Sequence, residues 1–388
     1  MMQPGYLFIG NSSKLSQEKA QSLEPIEFGN VTKLPGLAAI SHGFKFFSGT
    51  NRENADQLTC VDFPTIFYHQ HIYRNIFAIK DNRIAYKNLC EMLSQHPEIE
   101  VLHCNTPIGG FVGRLAGRKY KVKKILYTAH GFHFYKGSSL FSQTVIKWIE
   151  KWLAHYTDVI FTMNKEDFEA ASKFKLRNKG KVFMIPGVGV DTSAFYLPLI
   201  DKSAIRASIG IPEDAYLGIA MGDIIKRKNY ETAIKAIALS KNKRVHYMIC
   251  GRGTMIEALK ELAKKLGVTD QVHFLGFRSD IKELVNASDF FLFCSYQEGL
   301  PRSMMEAMSA GLPCIVSKIR GHVDLMSDYS GGRLIAPNDA NGFADAINEL
   351  ESNPNLAESF RLYNLERIKQ FDTEVVLKRF NEIFDEIL

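Results

Sequence analysis

Short apolar runs of the kind found in buried strands recur along the chain, and most are followed by a segment with helical spacing. Regular alternation of this kind predicts parallel β-sheets with helices on both faces. The predicted strands are residues 6–10, 101–104, 125–128, 158–163, 182–185, 216–220, 247–250, 289–294 and 313–316. The predicted helices are residues 82–93, 111–116, 165–174, 230–239, 254–266 and 373–388. Residues 11–60 show neither pattern, and we expect them to be irregular.

The stretch between Ser295 and Pro313 combines a turn, a helix start and two carboxylates. Glu298 lies in the turn Glu-Gly-Leu-Pro, and Glu306 lies inside the helix that follows. Pro301 suits the first position of that helix, where no amide hydrogen is needed. The free backbone amides at the helix start favour an anion such as a diphosphate. They belong to Leu300, Arg302 and Ser303.

The spacing of the two glutamates limits the chemistry that they can share. A helical rise of about 1.5 Å per residue separates them by roughly 12 Å at most. A nucleophile and an acid that act on one sugar must lie about 5–10 Å apart. We therefore expect two acceptors that hold hydroxyl groups at opposite ends of one extended ligand, made of a sugar, a diphosphate and a ribose.

Polar residues also follow predicted strands in the first half of the chain. Asn105 and His130 come after the strands at 101–104 and 125–128. Because ligands bind beyond the carboxyl ends of strands in such sheets, both side chains are candidates for a binding site. For His130 the alternative is a histidine in the core or at a helix cap.

The composition excludes some classes of function and leaves others open. With 388 residues the chain can form two domains with sizeable cores. The net charge of +6 suits an anionic substrate or an anionic lipid, and the sequence has no nucleic-acid-binding signature. The six cysteines form no metal-ligand cluster and suit a reducing cytoplasm. Since no apolar run approaches the roughly 20 residues of a membrane span, we expect a cytoplasmic protein.

Together these motifs resemble family four of the retaining glycosyltransferases, which have the GT-B fold. The E-x7-E pattern, with E-G-L-P and E-A-M-x-x-G-x-P, is similar to the donor site of that family. The run T-A-H-G-F-H-F-Y-K-G at 128–137 resembles transferases that build bacterial capsule and exopolysaccharide. The resemblance implies an α/β GT-B fold with two Rossmann-like parallel-sheet domains facing a central cleft. It also implies a nucleotide-sugar donor, which we expect to be a UDP-sugar.

The same resemblance implies a plan of domains, with the boundary near residues 195–201. Residues 1–197 are expected to form the N-terminal acceptor-side domain, and residues 198–370 the nucleotide-sugar donor domain. Residues 371–388 are expected to form a C-terminal helix that crosses back onto the first domain.

In the family pattern, Lys228 meets the donor diphosphate, Glu298 holds hydroxyls of the donor sugar and Glu306 holds the ribose. Either Arg227 or Lys226 supplies a second cation, or the site has only one. Three residues are expected to be catalytic: His130, Lys228 and Glu298. The predicted donor-binding residues are Gly222, Arg227, Lys228, Gly251, Phe277, Arg278, Glu298, Gly299, Leu300, Pro301, Arg302 and Glu306. Phe277 and Arg278 are expected to lie against the nucleobase.

On the acceptor side, family members carry a Gly-rich turn after the first strand, and the nearest match here is Gly10-Asn11-Ser12. We predict Gly10, Asn105 and His133 as acceptor-side residues. The acceptor implied is a polyprenyl-diphosphate-linked saccharide. No D-x-D motif stands at a strand end, so Lys228 and helix-end amides are expected to neutralise the diphosphate without a metal, and no cofactor is expected.

A basic and aromatic segment suggests contact with a membrane surface. Residues 101–149 contain no Asp or Glu, and the basic residues lie mainly in 114–124. Trp148 and Trp152 follow one helical turn apart. Such a surface suits docking on anionic lipid at the inner face of a bacterial plasma membrane. The alternative is a solvated loop with a helix that packs on its own sheet.

The function that the resemblance implies is transfer of a sugar to an acceptor hydroxyl with retention of configuration, by a front-face route in which the leaving phosphate takes the acceptor proton. Two other functions stay open. One is a GT-B sugar-nucleotide epimerase, against which the spacing of the glutamates argues. The other is a catalytically silent nucleotide-sugar-binding partner of another transferase. The donor sugar, the acceptor and the linkage cannot be predicted from these residues.

Overall fold

Two parallel β-sheets organise the chain, one of seven strands and one of six, which confirms the α/β architecture predicted from the alternating pattern. The computed structural model describes residues 3–10, 15–73, 75 and 78–388. The chain divides into two units, one formed by Met1–Val188 with Glu374–Leu388 and the other by Gly189–Thr373. Each unit contains one of the sheets.

The first sheet has the strand order β3-β2-β1-β4-β5-β6-β7, and all neighbouring strands run parallel. Its strands are β1 (Gly5–Ile9), β2 (Lys45–Thr50), β3 (Thr65–His69), β4 (Ile99–Asn105), β5 (Lys124–Ala129), β6 (Val159–Thr162) and β7 (Lys181–Met184). Its first six helices are α1 (Gln17–Gln21), α2 (Asn30–Ser41), α3 (Ile79–Gln95), α4 (Pro107–Lys119), α5 (Lys147–Ala154) and α6 (Lys165–Ala171). A π-helical turn, Ser142–Ile146, leads directly into α5.

The expectation that residues 11–60 are irregular is wrong, because they hold α1, α2 and the strand β2. Pro35 and Gly36 lie inside α2 and conceal its helical pattern. Gly36 lies where a Cβ would come within 2.5 Å of the ring of Phe63, so the absence of a side chain lets the helix pack closely. Asn11 and Ser12 of the predicted Gly-rich turn lie outside the described residues.

The second sheet has the strand order β10-β9-β8-β11-β12-β13 and is also parallel. Its strands are β8 (Tyr216–Met221), β9 (Val245–Cys250), β10 (Val272–Gly276), β11 (Phe290–Phe293), β12 (Cys314–Ser317) and β13 (Gly332–Ile335). Its helices are α7 (Thr192–Phe195), α8 (Lys202–Ser208), α9 (Tyr230–Ser240), α10 (Ile256–Lys265), α11 (Ile281–Asn286), α12 (Arg302–Ser309), α13 (His322–Leu325), α14 (Ala340–Ser352) and α15 (Pro354–Ile368). The order of strands places the ends of β8 and β11 side by side.

The second unit begins nearer to the N-terminus than the predicted boundary at 195–201. Val190 is fully buried in the core of this unit. Its backbone exchanges hydrogen bonds with the last residues of the unit: Val190 N donates to Phe371 O at 3.0 Å, and Thr373 N donates to Val190 O at 3.1 Å. The first and last residues of the second unit therefore lie next to each other.

The last helix, α16 (Thr373–Ile387), packs on the first sheet rather than the second. The Phe380 ring centroid lies 5.6 Å from that of Phe161, and Phe384 lies 5.8 Å from Tyr6. All four side chains are buried. Helix α16 thus completes the core of a unit whose other residues end at position 188.

Candidate active site

The carboxyl ends of β8 and β9 approach each other so closely that two glycines are required. A Cβ at Gly251 would lie 1.9 Å from the carbonyl oxygen of Gly222, and one at Gly253 would lie 2.1 Å from that of Ile224. Gly222 itself has a φ of +143°, which L-residues rarely adopt. The predicted donor residues Gly222 and Gly251 therefore form one close backbone contact at the sheet edge.

Glu298 lies beside two cations at this edge, Lys228 and Arg227. Its Oε1 atom accepts hydrogen bonds from Lys228 Nζ at 2.8 Å, Arg227 Nη1 at 3.2 Å and Ser295 Oγ at 2.7 Å. Burial would raise the pKa of Glu298, but the charges of Lys228 and Arg227, with the hydrogen bonds from Lys228 and Ser295, lower it below its usual value. Glu298 is thus ionised, while its Oε2 accepts no hydrogen bond from the described residues.

Lys228 is held in place by the residue that follows it. Asn229 adopts a left-handed conformation with a φ of +53°, and its side-chain amide donates to Cys294 O at 2.9 Å and Pro337 O at 2.8 Å. The ammonium group of Lys228 lies 4.6 Å from the centre of the Phe293 ring. Asn229 and Phe293 therefore fix the cation, although the sequence pattern singled out only the lysine.

Helix α12 begins one residue later than predicted. Pro301 has extended dihedral angles (φ −75°, ψ 115°) and precedes the first helical residue, Arg302. Within the helix, Arg302 Nε donates to Glu306 Oε1 at 2.9 Å. Burial raises the pKa of Glu306 above its usual value, and the nearby Arg302 only partly offsets that rise. The pKa of Glu298 is thus lowered, whereas the pKa of Glu306 is raised.

Residues that follow β12 contact the backbone of the turn that carries Glu298. Arg320 Nε donates to Glu298 O at 3.3 Å. A Cβ at Gly321, whose φ is +81°, would lie 2.6 Å from the carbonyl oxygen of Gly299. Leu300 packs on the core of the same unit. These contacts fix the backbone of the turn before any ligand binds.

The two residues predicted against the nucleobase have different surroundings. Phe277 is largely exposed, and the Arg252 guanidinium lies 4.9 Å from the centre of its ring. Arg278 forms a two-pronged ion pair with Asp280, with distances of 2.8 Å and 2.5 Å. Arg278 thus has an acidic partner, and the exposed ring of Phe277 offers an apolar surface.

In the first unit, three predicted residues lie together at the carboxyl edge of the sheet. His130 Nε2 lies 2.5 Å from Asn105 Oδ1, so the imidazole donates this hydrogen bond. A Cβ at Gly10 would lie 3.9 Å from Asn105 Nδ2. His133, the other acceptor-side candidate, is exposed in the loop after β5.

A buried hydrogen-bond network lies behind His130 and was not predicted from the sequence. His103 Nδ1 lies 2.5 Å from Tyr6 Oη, and its Nε2 lies 2.7 Å from Thr128 Oγ1. Burial, together with the neighbouring His130, lowers the pKa of His103 to about 3. His103 is therefore neutral, with one ring nitrogen donating and the other accepting.

Two family models together match most of the chain. Residues 45–194 match the model described as Glycosyltransferase Family 4, and residues 201–367 match Glycosyl transferases group 1. The putative glycosyltransferase EpsD of Bacillus subtilis is 36% identical over 280 residues, which cover 71% of this chain and 73% of that protein. The chain belongs to glycosyltransferase family four. These matches confirm the family resemblance that the sequence motifs of this transferase indicated.

Other similar proteins agree with this membership. A UDP-Gal:alpha-D-GlcNAc-diphosphoundecaprenol alpha-1,3-galactosyltransferase of Escherichia coli is 30% identical over 294 residues, with 74% of each chain covered. Among solved structures, HepE of Anabaena has a TM-score of 0.77 at 17% identity, covering 99% of this chain and 100% of that one. Sucrose-phosphate synthase of Thermosynechococcus elongatus has a TM-score of 0.79 at 19% identity, covering 99% of each chain. These structures confirm the GT-B fold of the transferase.

Beside the histidines, the first unit of the transferase has a small cavity, with room for about one water molecule. Helix α2 begins at its rim, and the sequence analysis missed this helix. The residues that line it are Asn30, Val31, Pro35, His103, Thr128, His130, Met163, Ile185, Gly187, Val188 and Phe380. His130 therefore borders a small concave space in the first unit.

His322 of the transferase is a further buried residue that the sequence did not reveal. Its Nδ1 lies 2.7 Å from Ser317 O, and its ring centre lies 5.9 Å from that of Phe293. Burial lowers the pKa of His322 to about 4, and its Nε2 has no hydrogen-bond partner among the described residues. A neutral imidazole thus lies behind the ring that supports Lys228.

The charges near Glu298 come from side chains of the transferase itself. Within residues 3–10, 15–73, 75 and 78–388, no three His, Cys, Asp or Glu side chains are grouped so that they could hold a metal ion. The positive charge close to Glu298 comes from Lys228 and Arg227.

Proposed function

We propose that this transferase moves a sugar from a UDP-sugar to a hydroxyl group of a polyprenyl-diphosphate-linked saccharide, in the synthesis of a bacterial surface polysaccharide such as capsule or exopolysaccharide. The observation that carries the proposal is the arrangement of Glu298. One carboxylate oxygen holds Lys228 and Arg227 at the helix start, and the other has no partner among the described residues. A ligand with a diphosphate beside sugar hydroxyls matches both features.

The relatives support the chemical class of donor and acceptor. The galactosyltransferase of Escherichia coli is named for a UDP-Gal donor and a GlcNAc-diphosphoundecaprenol acceptor. HepE of Anabaena has been crystallised with UDP and glucose. The candidate donor sugars are N-acetylhexosamines and hexoses.

In the proposed donor site, Lys228, Arg227 and the free amides at the start of α12 neutralise the diphosphate. Glu298 Oε2 accepts from hydroxyls of the donor sugar, and Glu306 accepts from the ribose after exchanging its bond with Arg302. The exposed ring of Phe277 contacts the nucleobase. Because two cations and a helix start supply positive charge, the proposed reaction uses no metal.

The proposed reaction occurs on one face of the donor sugar. The bond between the anomeric carbon and the phosphate oxygen breaks as the acceptor oxygen bonds to the same face of that carbon. The acceptor proton passes to the departing phosphate oxygen, and UDP leaves with the charge stabilised by Lys228. His130 exchanges its hydrogen bond to Asn105 for one to a sugar hydroxyl or to the phosphate, and it is not the general base.

The test is incubation of the purified transferase with a panel of UDP-sugars, with and without a polyprenyl-diphosphate-linked saccharide. Release of UDP that depends on the acceptor supports the proposal. Inversion of the hexose without UDP release indicates the epimerase instead. Binding without turnover indicates a silent partner of another transferase.

We further propose peripheral contact with an anionic membrane through exposed residues of the predicted basic and aromatic segment, which include Trp148. In the predicted basic region 114–124, Arg114 is fully buried, whereas Arg118, Lys119, Lys121 and Lys123 are exposed. Trp152 is half-buried against Tyr156. No described helix is long and apolar enough to cross a bilayer. A peripheral membrane contact also needs exposed apolar residues beside the cations.

The apolar segment, residues 140–148, supplies those residues. Leu140 is 84% exposed, Phe141 61% and Trp148 65%. Lys136, Lys147 and Lys151 lie beside them in the sequence, whereas Glu150 is turned inward to Arg114. Exposed large apolar side chains with lysines and no exposed carboxylate suit the interface of an anionic bilayer.

The membrane proposal is tested with vesicles of phosphatidylglycerol and of phosphatidylcholine. The double variant Phe141→Ser/Trp148→Ser is expected to lose at least tenfold in binding to phosphatidylglycerol vesicles. As a control, Leu199→Ser removes a leucine of the second unit that is 98% exposed. This variant is expected to bind vesicles as the wild type does. Equal binding by all three proteins would contradict the proposal.

A further inference from the structure

Three adjacent strands of the first sheet are joined by buried polar side chains behind His130. Tyr6 lies on β1, His103 on β4 and Thr128 on β5. His103 Nδ1 lies 2.5 Å from Tyr6 Oη, and His103 Nε2 lies 2.7 Å from Thr128 Oγ1. None of the three is more than 5% exposed. These side chains are closed to any substrate, so they can affect a reaction only through residues that touch one.

The register of β4 and β5 places this bond one step before two candidate site residues. His103 is paired with Leu126, and Asn105 is paired with Thr128. His103 therefore bonds to the residue two positions beyond its own partner. Asn105 makes the same diagonal contact, because its Oδ1 lies 2.5 Å from Nε2 of His130. We call His103 and Thr128 the inner pair, and Asn105 and His130 the outer pair.

The two pairs follow each other on one face of the sheet, because alternate residues of a strand face the same side. The inner pair also borders the same small cavity as His130. The inner pair therefore lies next to the His130 side chain as well as before it along the strands. A change in the inner pair alters both the spacing of the two strand ends and the space beside this imidazole.

The ring of His103 is fixed by packing and by hydrogen bonds. Its centre lies 5.1 Å from that of Phe8 and 5.6 Å from that of Phe161. Burial, together with the neighbouring His130, lowers the pKa of His103 to about 3. The neutral ring donates from one nitrogen and accepts at the other, and a hydroxyl group can fill either role. Both ring nitrogens are thus satisfied, and His103 is a rigid link from β1 to β5.

The outer pair opens in the proposed reaction, whereas the inner pair stays closed. His130 exchanges its bond to Asn105 for one to a sugar hydroxyl or to the phosphate. At that moment the bond between His130 and Asn105 no longer holds the imidazole. The buried bond between His103 and Thr128 is not exchanged, so it can keep the ends of β4 and β5 in place.

We propose that His103 and Thr128, anchored by Tyr6, are positioning residues that hold the His130 imidazole toward the reacting groups while its bond to Asn105 is open. This inference rests on the proposed transferase function, and it adds residues that never touch a substrate. They act through His130 on turnover and leave the donor site unchanged.

The test removes single hydroxyl groups and keeps the shape of the core. Thr128→Val is expected to lower kcat at least tenfold, because a small misplacement of a catalytic group is costly. The KM for the UDP-sugar should change less than about twofold, since donor binding is untouched. Thr128→Ser keeps the hydroxyl group and should restore most of the wild-type kcat. Tyr6→Phe should have a smaller effect than Thr128→Val, because the inner pair stays bonded.

A matched control lies on the next strand. Thr162 is the last residue of β6, is fully buried, and its hydroxyl group donates to Phe183 O at 3.5 Å. Thr162→Val is expected to leave kcat unchanged, even where it lowers the Tm. Side chains that only stabilised the sheet would change the Tm and not kcat. An unchanged kcat in Thr128→Val, or an equal loss in Thr162→Val, would therefore overturn the inference.

A double-mutant cycle with His130→Ala tests whether Thr128 acts through this imidazole. Once the imidazole is absent, Thr128→Val should change kcat less than about twofold. If Thr128→Val causes its full loss of kcat in the His130→Ala background as well, then Thr128 does not act through His130.

A last measurement needs no turnover. Nitrogen NMR of protein with labelled histidine rings reports which ring nitrogen of His130 carries the proton. Thr128→Val is expected to shift the His130 resonances, and Thr162→Val is expected to leave them in place. Unchanged His130 resonances in Thr128→Val would overturn the inference alone. A wild-type protein that releases no UDP with any acceptor would remove the proposed function itself.

Discussion

In the proposed donor site, Glu298 has two conflicting roles, because it binds the cations that the diphosphate needs and also the hydroxyls of the donor sugar. Its Oε1 is bonded to the same two cations that the proposed diphosphate requires. Donor binding must therefore redistribute Lys228 and Arg227 between a carboxylate and a phosphate. Because the carboxylate is buried and ionised, it weakens the hold of these cations on UDP as well as on the donor.

We predict that Glu298→Gln binds UDP about tenfold more tightly than the wild type, which corresponds to about 1.4 kcal/mol. The amide keeps the shape of the side chain but no longer competes for Lys228 and Arg227. Turnover should fall at least a hundredfold, because the sugar loses its charged acceptor. Calorimetric titration of UDP and initial rates check both parts. Weaker UDP binding by this variant would show that Glu298 does not compete with the phosphates.

Lys228→Ala should have the opposite effect on UDP, with lower affinity and lower turnover together. The substitution removes the cation that Asn229 and Phe293 fix, and leaves Arg227 and Ser295 as the partners of the Glu298 carboxylate among the described residues. Lys235→Ala, on the helix that follows, is a suitable control because Lys235 is exposed. Unchanged rates in Lys228→Ala would contradict the assignment of Lys228 to the diphosphate.

The raised pKa of Glu306 makes a prediction about pH. Since burial raises the pKa in the folded state, the ionised carboxylate destabilises the fold above that pKa, and this effect disappears below the unfolded value near 4.3. Glu306→Gln should therefore raise the Tm at pH 7 and change it little at pH 4, while weakening UDP binding. Thermal unfolding at both pH values tests this. A Tm gain that is equal at both pH values would rule out ionisation as its cause.

The positions of some helices could be predicted from the sequence, whereas the face that each helix turns to the core could not. The strand, Gly turn and helix around Glu298 were predicted well, because Gly, Pro and the apolar run each fix one local conformation. Helix α2 was missed because Pro35 and Gly36 interrupt its pattern. Arg114 was placed on a basic surface, whereas it points into the unit. Which face of a helix packs inward depends on tertiary contacts that local spacing does not encode.

The contact between α4 and α5 gives a further prediction. Arg114 Nη2 donates to Glu150 Oε2 at 2.9 Å, and its guanidinium lies 4.0 Å from the centre of the Tyr127 ring. Glu150→Gln leaves a buried, unpaired charge and should lower the free energy of unfolding by about 3–5 kcal/mol. The double variant Arg114→Met/Glu150→Leu should recover most of that loss. Urea unfolding measures both, and a double variant as unstable as the single one would contradict this explanation.

One of the two units is formed by a single stretch of the chain, and the other is formed by two stretches that are separate in the sequence. The second unit, Gly189–Thr373, is a single stretch, and it contains Lys228, Glu298 and Glu306. The first unit needs Glu374–Leu388 to cover Tyr6 and Phe161. Two α/β domains could be predicted from the sequence. The residue at which the second unit begins could not, because it depends on the pairing of Val190 with Asp372, which lies far away in the sequence.

We therefore predict that a fragment of residues 189–373 folds alone and binds UDP. A fragment of residues 1–188 should aggregate, and joining residues 374–388 to its end through a flexible linker should restore a cooperative thermal transition. Circular dichroism and calorimetry check these outcomes. Cooperative unfolding of residues 1–188 alone would show that α16 is dispensable for that core.

This discontinuity also sets an order of events during synthesis. When residues 1–188 leave the ribosome, the helix that covers their sheet has not yet been made, and the whole second unit must follow first. The nascent first unit therefore exposes Tyr6 and Phe161 while the second unit completes itself. Until α16 arrives, the sheet that carries His130 depends on chaperones or on its own partial core, so the finished enzyme appears only after its last helix has been translated.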